Sequence, residues 1–230
     1  MRILKLCTEC HKNGEVENAA VLTITNDNVY NVVCDKGHTQ KVSIPHLKHE
    51  VLFEFGVSAI VDGYYREAIS SFAASLERYY EHFIRVVSQR LSTTSLEDSW
   101  KEVKSQSERQ LGAYIFLYLH IFGKRPELLQ NGLIKLRNES IHKGIIPTKD
   151  KAIKFGENVA ELINSGTNNL HEHFGGQLRE ALRQVMFPDD ASSDNAIHID
   201  EMYLTSLSPR ELSDLATYIE NKQTHNKSKY

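Results

Sequence analysis

The chain is short of the residues that staple or interrupt a fold. Its 230 residues include three cysteines, five prolines and one tryptophan. Three thiols cannot build a disulfide framework. The opening MRILKLCTEC has no extended apolar core, so no export signal is expected. The expected location is therefore the reducing cytoplasm, where structural disulfides are rare. No run approaches the ~18 apolar residues of a membrane-spanning helix, so no membrane association is expected. Neither sign of charge dominates, with 27 lysines and arginines against 30 aspartates and glutamates and a net charge of −3. That excludes a general polyanion-binding coat and leaves room only for a local basic patch. Internal repeats and low-complexity segments are absent too. What remains is 40% apolar and 25% charged, the composition of an ordinary globular protein.

The three cysteines are not scattered. Cys7 and Cys10 form a C-x2-C pair, and Cys34 and His38 form C-x3-H after an insert of hairpin length. Two short-spaced ligand pairs suit tetrahedral Zn2+, because each tight turn presents two donors on one side. Residues 19–24 and 29–33 read as strands, with Asn26-Asp27-Asn28 as the turn between them, and a third strand is predicted over 39–44. The arrangement resembles a zinc ribbon over roughly one fifth of the chain. It departs from the commonest ribbon in using His38 as fourth donor and in lacking a Pro-x-Cys-Gly knuckle, which makes His11 a second candidate for that position. So short a segment has too little core to order itself without a staple. A closed, structural Zn2+ site of Cys7, Cys10, Cys34 and His38 is expected. The alternative is three buried free thiols beside an unrelated surface histidine.

After Pro45 the strand signals stop. The expected fold class is mainly α: a small β module over 1–45, a helical bundle over 46–220 and a disordered polar tail over 221–230. A first helix is predicted over 46–61. Phe72, Ala73, Leu76, Tyr80, Phe83, Ile84, Val87 and Leu91 then keep a 3.6-residue stripe. Residues 92–95 read as a loop. The helix that follows ends in the apolar run 111–119, read as a central core helix stopped at Gly123, with Pro126 restarting the chain. The next helix spans 131–143 and closes at Gly144. Thr148 caps another that runs through Ile163. A further helix is predicted over 170–187, with a break at Gly175-Gly176. Residues 188–200 read as a loop, and Ser208-Pro209-Arg210-Glu211 as the capping box of a last helix ending near Glu220.

On the helix over 131–143, a 100° step per residue gathers Leu133, Ile134, Leu136 and Ile141 on one side, with Arg137 in their midst. A guanidinium on an apolar stripe is costly unless something pairs with it. Asn138 and His142, at i and i+4, share one side at the edge of that stripe. A fixed cation, an amide and an imidazole suit phosphodiester cleavage: the imidazole moves a proton and the arginine stabilises charge building on phosphorus oxygens. The same residues admit a structural reading, with Arg137 paired to a structural carboxylate, Asn138 in a local hydrogen bond and His142 easing a helix C-terminus.

Arg137-Asn138-x3-His142, followed by Lys143-Gly144-Ile145-Ile146-Pro147-Thr148, resembles the R-x4-6-H motif of the HEPN superfamily. In that family the motif closes one helix of an α-helical bundle. The stretch 71–85 is similar to the long second helix of many members, and Glu81-x3-Arg85 to their accessory E-x3-K/R pattern. The resemblance covers roughly residues 46–165. It implies a metal-independent endoribonuclease, a hydrolase of bacterial toxin or antiviral phage-defence type. Two protomers of a homodimer would bring their motifs into one cleft, where a 2′-hydroxyl attacks the adjacent phosphate. Carried over by position, His142 is the acid/base, Arg137 contacts the phosphate, Asn138 positions, and Glu81 orients or pairs with Arg137. The implied partners are RNA, a second copy, and an antitoxin or other defence-system protein. Gly144 stands where some toxin members carry a tyrosine, so control through that residue is not expected. Two rival readings are a non-catalytic HEPN-like dimer that holds RNA or protein, and a regulatory subunit docking through its zinc ribbon.

Other features carry less. His171-x-His173 and His46-x2-His49 have metal-like spacing, but in a chain with eleven histidines they are expected to be plain surface residues. Trp100 is expected to be a packing anchor, and Tyr79 and Tyr80 core or interface. There is no P-loop, dinucleotide fingerprint or Ser/Cys nucleophile motif.

Overall fold

Strand-forming sequence is concentrated before residue 45 and helix-forming sequence after it, and the fold divides along that line. The computed structural model describes residues 2–15, 19–27, 29–43, 47–89, 91, 93–186, 196–198 and 215–227. In chain order these form β1 (Arg2–Leu6), α1 (Thr8–Lys12), β2 (Ala19–Thr23), β3 (Val29–Val33), β4 (Thr39–Ser43), α2 (Lys48–Val61), α3 (Tyr65–Ser88), α4 (Thr93–Val103), α5 (Ser107–Phe122), α6 (Asn131–Lys143), α7 (Lys149–Met186), β5 (Ala196–His198) and α8 (Leu215–Lys227). The protein is mainly helical with a small β module, in two compact units. One comprises Met1–Leu47 and Glu180–Tyr203, the other Lys48–Arg179 and Leu204–Tyr230.

In the first unit β2 and β3 do not pair as the hairpin their spacing predicts. β2 runs antiparallel to β1, with Leu4 opposite Val21, and β3 antiparallel to β4, with Asn31 opposite Lys41. The reason lies in the turns. Gly37 takes a positive φ of 83°, its N–H donates to the Cys34 carbonyl at 2.8 Å, and Cys34 N–H donates to the His38 carbonyl at 3.1 Å. This tight turn makes the C-x3-H segment the tip of the β3–β4 hairpin, leaving β2 to pair with the strand before Cys7. β5, inside the segment expected to be a loop, pairs parallel to β4 with Val42 opposite Ile197. Leu22, Val32 and Val42 are buried and give this unit its small apolar core.

In the second unit α2 and α3 fold back on each other through a turn at Gly63, whose φ of 83° suits glycine. Thirteen of the 24 residues of α3 are buried, on more than one face, so α3 is the central helix. The expectation that 111–119 is a central core helix is corrected. α5 buries Gln110, Tyr114 and Tyr118 at four-residue spacing and leaves Phe116 72% and Leu119 43% exposed. The tyrosines go inside because the Phe83 ring receives them, 4.9 Å from Tyr114 and 5.8 Å from Tyr118 between centroids, while the Tyr118 hydroxyl accepts from Asn169 Nδ2 at 2.9 Å. α4 begins at Thr93, within the predicted loop, and is separate from α5. α7 is two helices joined across a kink at Phe174 (φ −133°, ψ 26°), immediately before Gly175-Gly176, the expected break; the first of them runs on past Ile163 to that kink. The Phe72 ring sits between Gly56 of α2 and Gly156 of α7, where a Cβ would come within 2.5 and 2.8 Å of it.

The capping box at 208–211 lies outside the described residues. α8 runs on to Lys227, through most of the segment expected to be a disordered tail. Leu215 and Ile219 are buried, and Glu54, buried on α2, accepts from the Tyr218 hydroxyl at 3.3 Å and pairs with Lys222. Burial pulls Lys222 down to about 8. These apolar and ionic anchors explain why so polar a sequence is helical.

Candidate functional site

Two constellations bring polar and titratable side chains together, one in each unit. In the first, β1 delivers Cys7 to the start of α1, α1 holds Cys10 one turn on, and the β3–β4 turn supplies Cys34 and His38. The three thiols are buried and free of disulfides. His38 Nδ1 lies 3.7, 3.3 and 3.6 Å from the sulfurs of Cys7, Cys10 and Cys34, and the Cys10 and Cys34 sulfurs are 3.9 Å apart. A tetrahedron with metal–sulfur bonds of ~2.3 Å and a metal–nitrogen bond of ~2.0 Å has edges of about 3.8 and 3.5 Å. These four distances are close to the edges of such a tetrahedron, so the cluster could hold one small cation. The cluster is metal-competent, with all four atoms within 4.8 Å of one another. His38, not His11, fills the fourth position, and His11 is exposed. Burial, then the neighbouring Cys7 and Cys34 thiols, push Cys10 up to about 12. At Cys34 burial also pushes upward, but the amides of Lys36 and His38 and the other two thiols outweigh it and hold the group at about 7. Three thiols in one buried space resist ionising together, and a divalent cation removes that conflict.

In the second unit α6 lies against α3. Arg137 reaches across it, its Nη2 donating to Glu77 Oε1 at 2.7 Å and its Nη1 to Asn138 Oδ1 at 3.2 Å. Of the two roles expected for Glu81, orienting Arg137 or pairing with it, the pairing is corrected: Glu77 is the paired acid. The Glu81 carboxylate is taken by Arg78 and Arg85 of its own helix, at 2.5 and 3.7 Å. Glu77 lies one turn earlier on the same face, at the level where α6 crosses. Farther along, the Arg66 Nε donates to the Ser140 carbonyl at 3.0 Å, satisfying an acceptor in the last turn of α6. Gly144 ends the helix at φ 68°. Asn138 and His142 are exposed, and among the described residues nothing hydrogen-bonds the His142 ring. Arg137 and His142, five residues apart, point about 140° apart around α6. The structure thus joins Arg137 to Asn138 and to an acid, and places His142 on another side. Sequence reasoning missed Glu77, whose only signal was an acid one turn from Glu81, and Arg66, which is remote in sequence.

The remaining expectations divide. His171 and His173 are exposed. His49 is not a surface residue: it is buried against Tyr79 and His82, each 5.4 Å away between ring centroids. His46 lies outside the described residues. Trp100 is buried with the Arg85 guanidinium 4.6 Å from its ring centroid, a packing contact.

No family model, curated protein or solved structure matches the chain. No described helix is long and apolar enough to cross a membrane.

Proposed function

We propose that the helical unit is a metal-independent endoribonuclease of the HEPN kind and that the Cys7, Cys10, Cys34 and His38 cluster holds a structural Zn2+. The observation that carries the nuclease reading is the α6 surface. It offers an exposed imidazole with no described partner, and an arginine fixed in place with donors to spare. Arg137 spends Nη hydrogens on Glu77 and Asn138, and the rest of its five N–H groups remain for phosphate oxygens. In this reading His142 takes the proton of the attacking 2′-hydroxyl or returns one to the leaving 5′-oxygen, and Arg137 stabilises charge on the phosphorus oxygens. The 140° separation means one α6 does not present both groups to one phosphorus, so the site needs a second copy of the chain. Ile134 on α6 and Ile145 and Ile146 just after it are exposed apolar residues suited to covering by that copy.

A second reading has its own observation. The Glu77–Arg137 pair gives the arginine a structural task, as a non-catalytic RNA- or protein-binding module would require. One experiment separates them. Purified protein is incubated briefly with RNA in EDTA, its sedimentation measured in parallel. The nuclease reading expects a dimer, fragments with 2′,3′-cyclic phosphate ends, a loss of ~10²-fold or more in His142→Ala, and no cut at a 2′-deoxy position. Full activity in His142→Ala, cleavage of the 2′-deoxy substrate, or a monomer that cleaves overturns it.

A further inference from the structure

Charge is distributed unevenly along the chain, and the unevenness surrounds α6. Between Lys124 and Lys154 there are eight lysines and arginines against three acids, a local +5 in a chain of net −3 that carries −8 everywhere else. Of those eight cations only Arg137 forms an ion pair with a described carboxylate. The ammonium and guanidinium groups of Lys124, Arg125, Lys135, Lys143, Lys149, Lys151 and Lys154 make none with described residues, and all but the half-buried Lys149 are exposed. Lys135 lies about 20° from His142 around α6 and about 10 Å before it along the axis. Lys143 ends the same helix, and Lys149 and Lys151 follow after a five-residue connection. Together these cations contribute a positive potential that no ion pair among the described residues offsets. A polyanion offsets it, with release of its own counterions.

We infer that the exposed cations of residues 124–154, centred on Lys135, Lys143 and Lys151, form the surface that takes the phosphodiester backbone of a single-stranded nucleic acid. The inference rests on the proposed function for nucleic acid as the ligand, but not on cleavage. The contact is with phosphates, so it is tolerant of sequence and steep in salt.

The test is fluorescence anisotropy with a labelled 20-nucleotide oligothymidylate, which lacks 2′-hydroxyls, and with the matching oligouridylate bound to His142→Ala. Lys135→Glu, Lys143→Glu and Lys151→Glu are compared with Lys101→Glu, an exposed lysine paired with Asp98 on α4. Each of the three is expected to weaken binding about tenfold at low salt and to reduce the slope of log Kd against log salt by about one. Lys101→Glu should leave both within twofold. Equal weakening by Lys101→Glu, or binding unchanged in all three, overturns the inference. So does binding only to phosphatidylglycerol vesicles or only to an acidic peptide. If the oligonucleotides bind as described and no RNA is cut, the nuclease reading falls and this surface stands. If RNA is cut while the three variants keep wild-type binding and KM, the surface falls and the nuclease stands.

Discussion

At the scale of single residues, Arg137 shows how far position on a helix predicts chemistry. Its place among Leu133, Leu136 and Ile141 required an anionic partner, and one exists. Which acid it would be was not legible, because Glu77 and Glu81 are one turn apart on the same face of α3. The choice depends on where α6 crosses, a long-range property, and on Arg78 and Arg85 claiming Glu81 locally. The pair is about 30% exposed on each side, so its worth is limited by solvent. In a double-mutant cycle by urea unfolding, Glu77→Ala and Arg137→Ala should show a coupling of roughly 0.5–1 kcal/mol. Glu81→Ala and Arg137→Ala should be additive. A larger coupling to Glu81 than to Glu77 would mean the pairing described here is wrong.

Among the elements, the β3–β4 hairpin and its turn supply two of the four donors, so an ion held by the cluster would couple its binding to folding of these strands. Removing the ion with a strong chelator should expose all three thiols to a disulfide reagent and abolish the order of the strands, while the far-ultraviolet helical signal largely persists. Thiols that stay unreactive after chelation would show that packing alone holds the cluster. The ligand set was readable from spacing because C-x2-C and C-x3-H each fit one turn. Strand pairing was not. The turn at residues 26–28 looked sufficient for a hairpin, yet β2 found its ladder in β1, a strand whose alternation RILKL is short and lies beside the first cysteine pair. α5 erred in the opposite direction. Its apolar run hid the preference of the α3 surface for tyrosine rings, whose hydroxyls can reach partners such as Asn169. α8 was misplaced because its anchors are few and its partner, Glu54, lies on α2.

For the whole molecule, two imidazoles, His49 buried and His82 half-buried, link stability to pH. His49 lies on α2 and His82 on α3, with Tyr79 packed edge-on to His49 and Glu50 the acid acting on both. Burial holds His49 below its ordinary value, and burial together with the neighbouring His49 does the same to His82. The unfolded chain therefore takes up protons first, from about pH 6.5 downward. Stability is fully present above that value and declines as pH falls toward the folded-state values. The urea midpoint should drop between pH 7.5 and 5, and less steeply in His82→Gln; equal slopes in the two proteins would remove the imidazole pair as the cause. Chain order sets a second constraint. The second partner of β4 at Lys41–Ser43, besides β3, is β5 at Ala196–His198, so a ribosome must deliver nearly the whole helical unit before that edge of the sheet can close. Until then the nascent protein carries an open β edge, a template for pairing with another chain. Any message truncated before codon 196 yields a polypeptide that keeps Cys7, Cys10, Cys34 and His38 and never acquires the strand that pairs with β4.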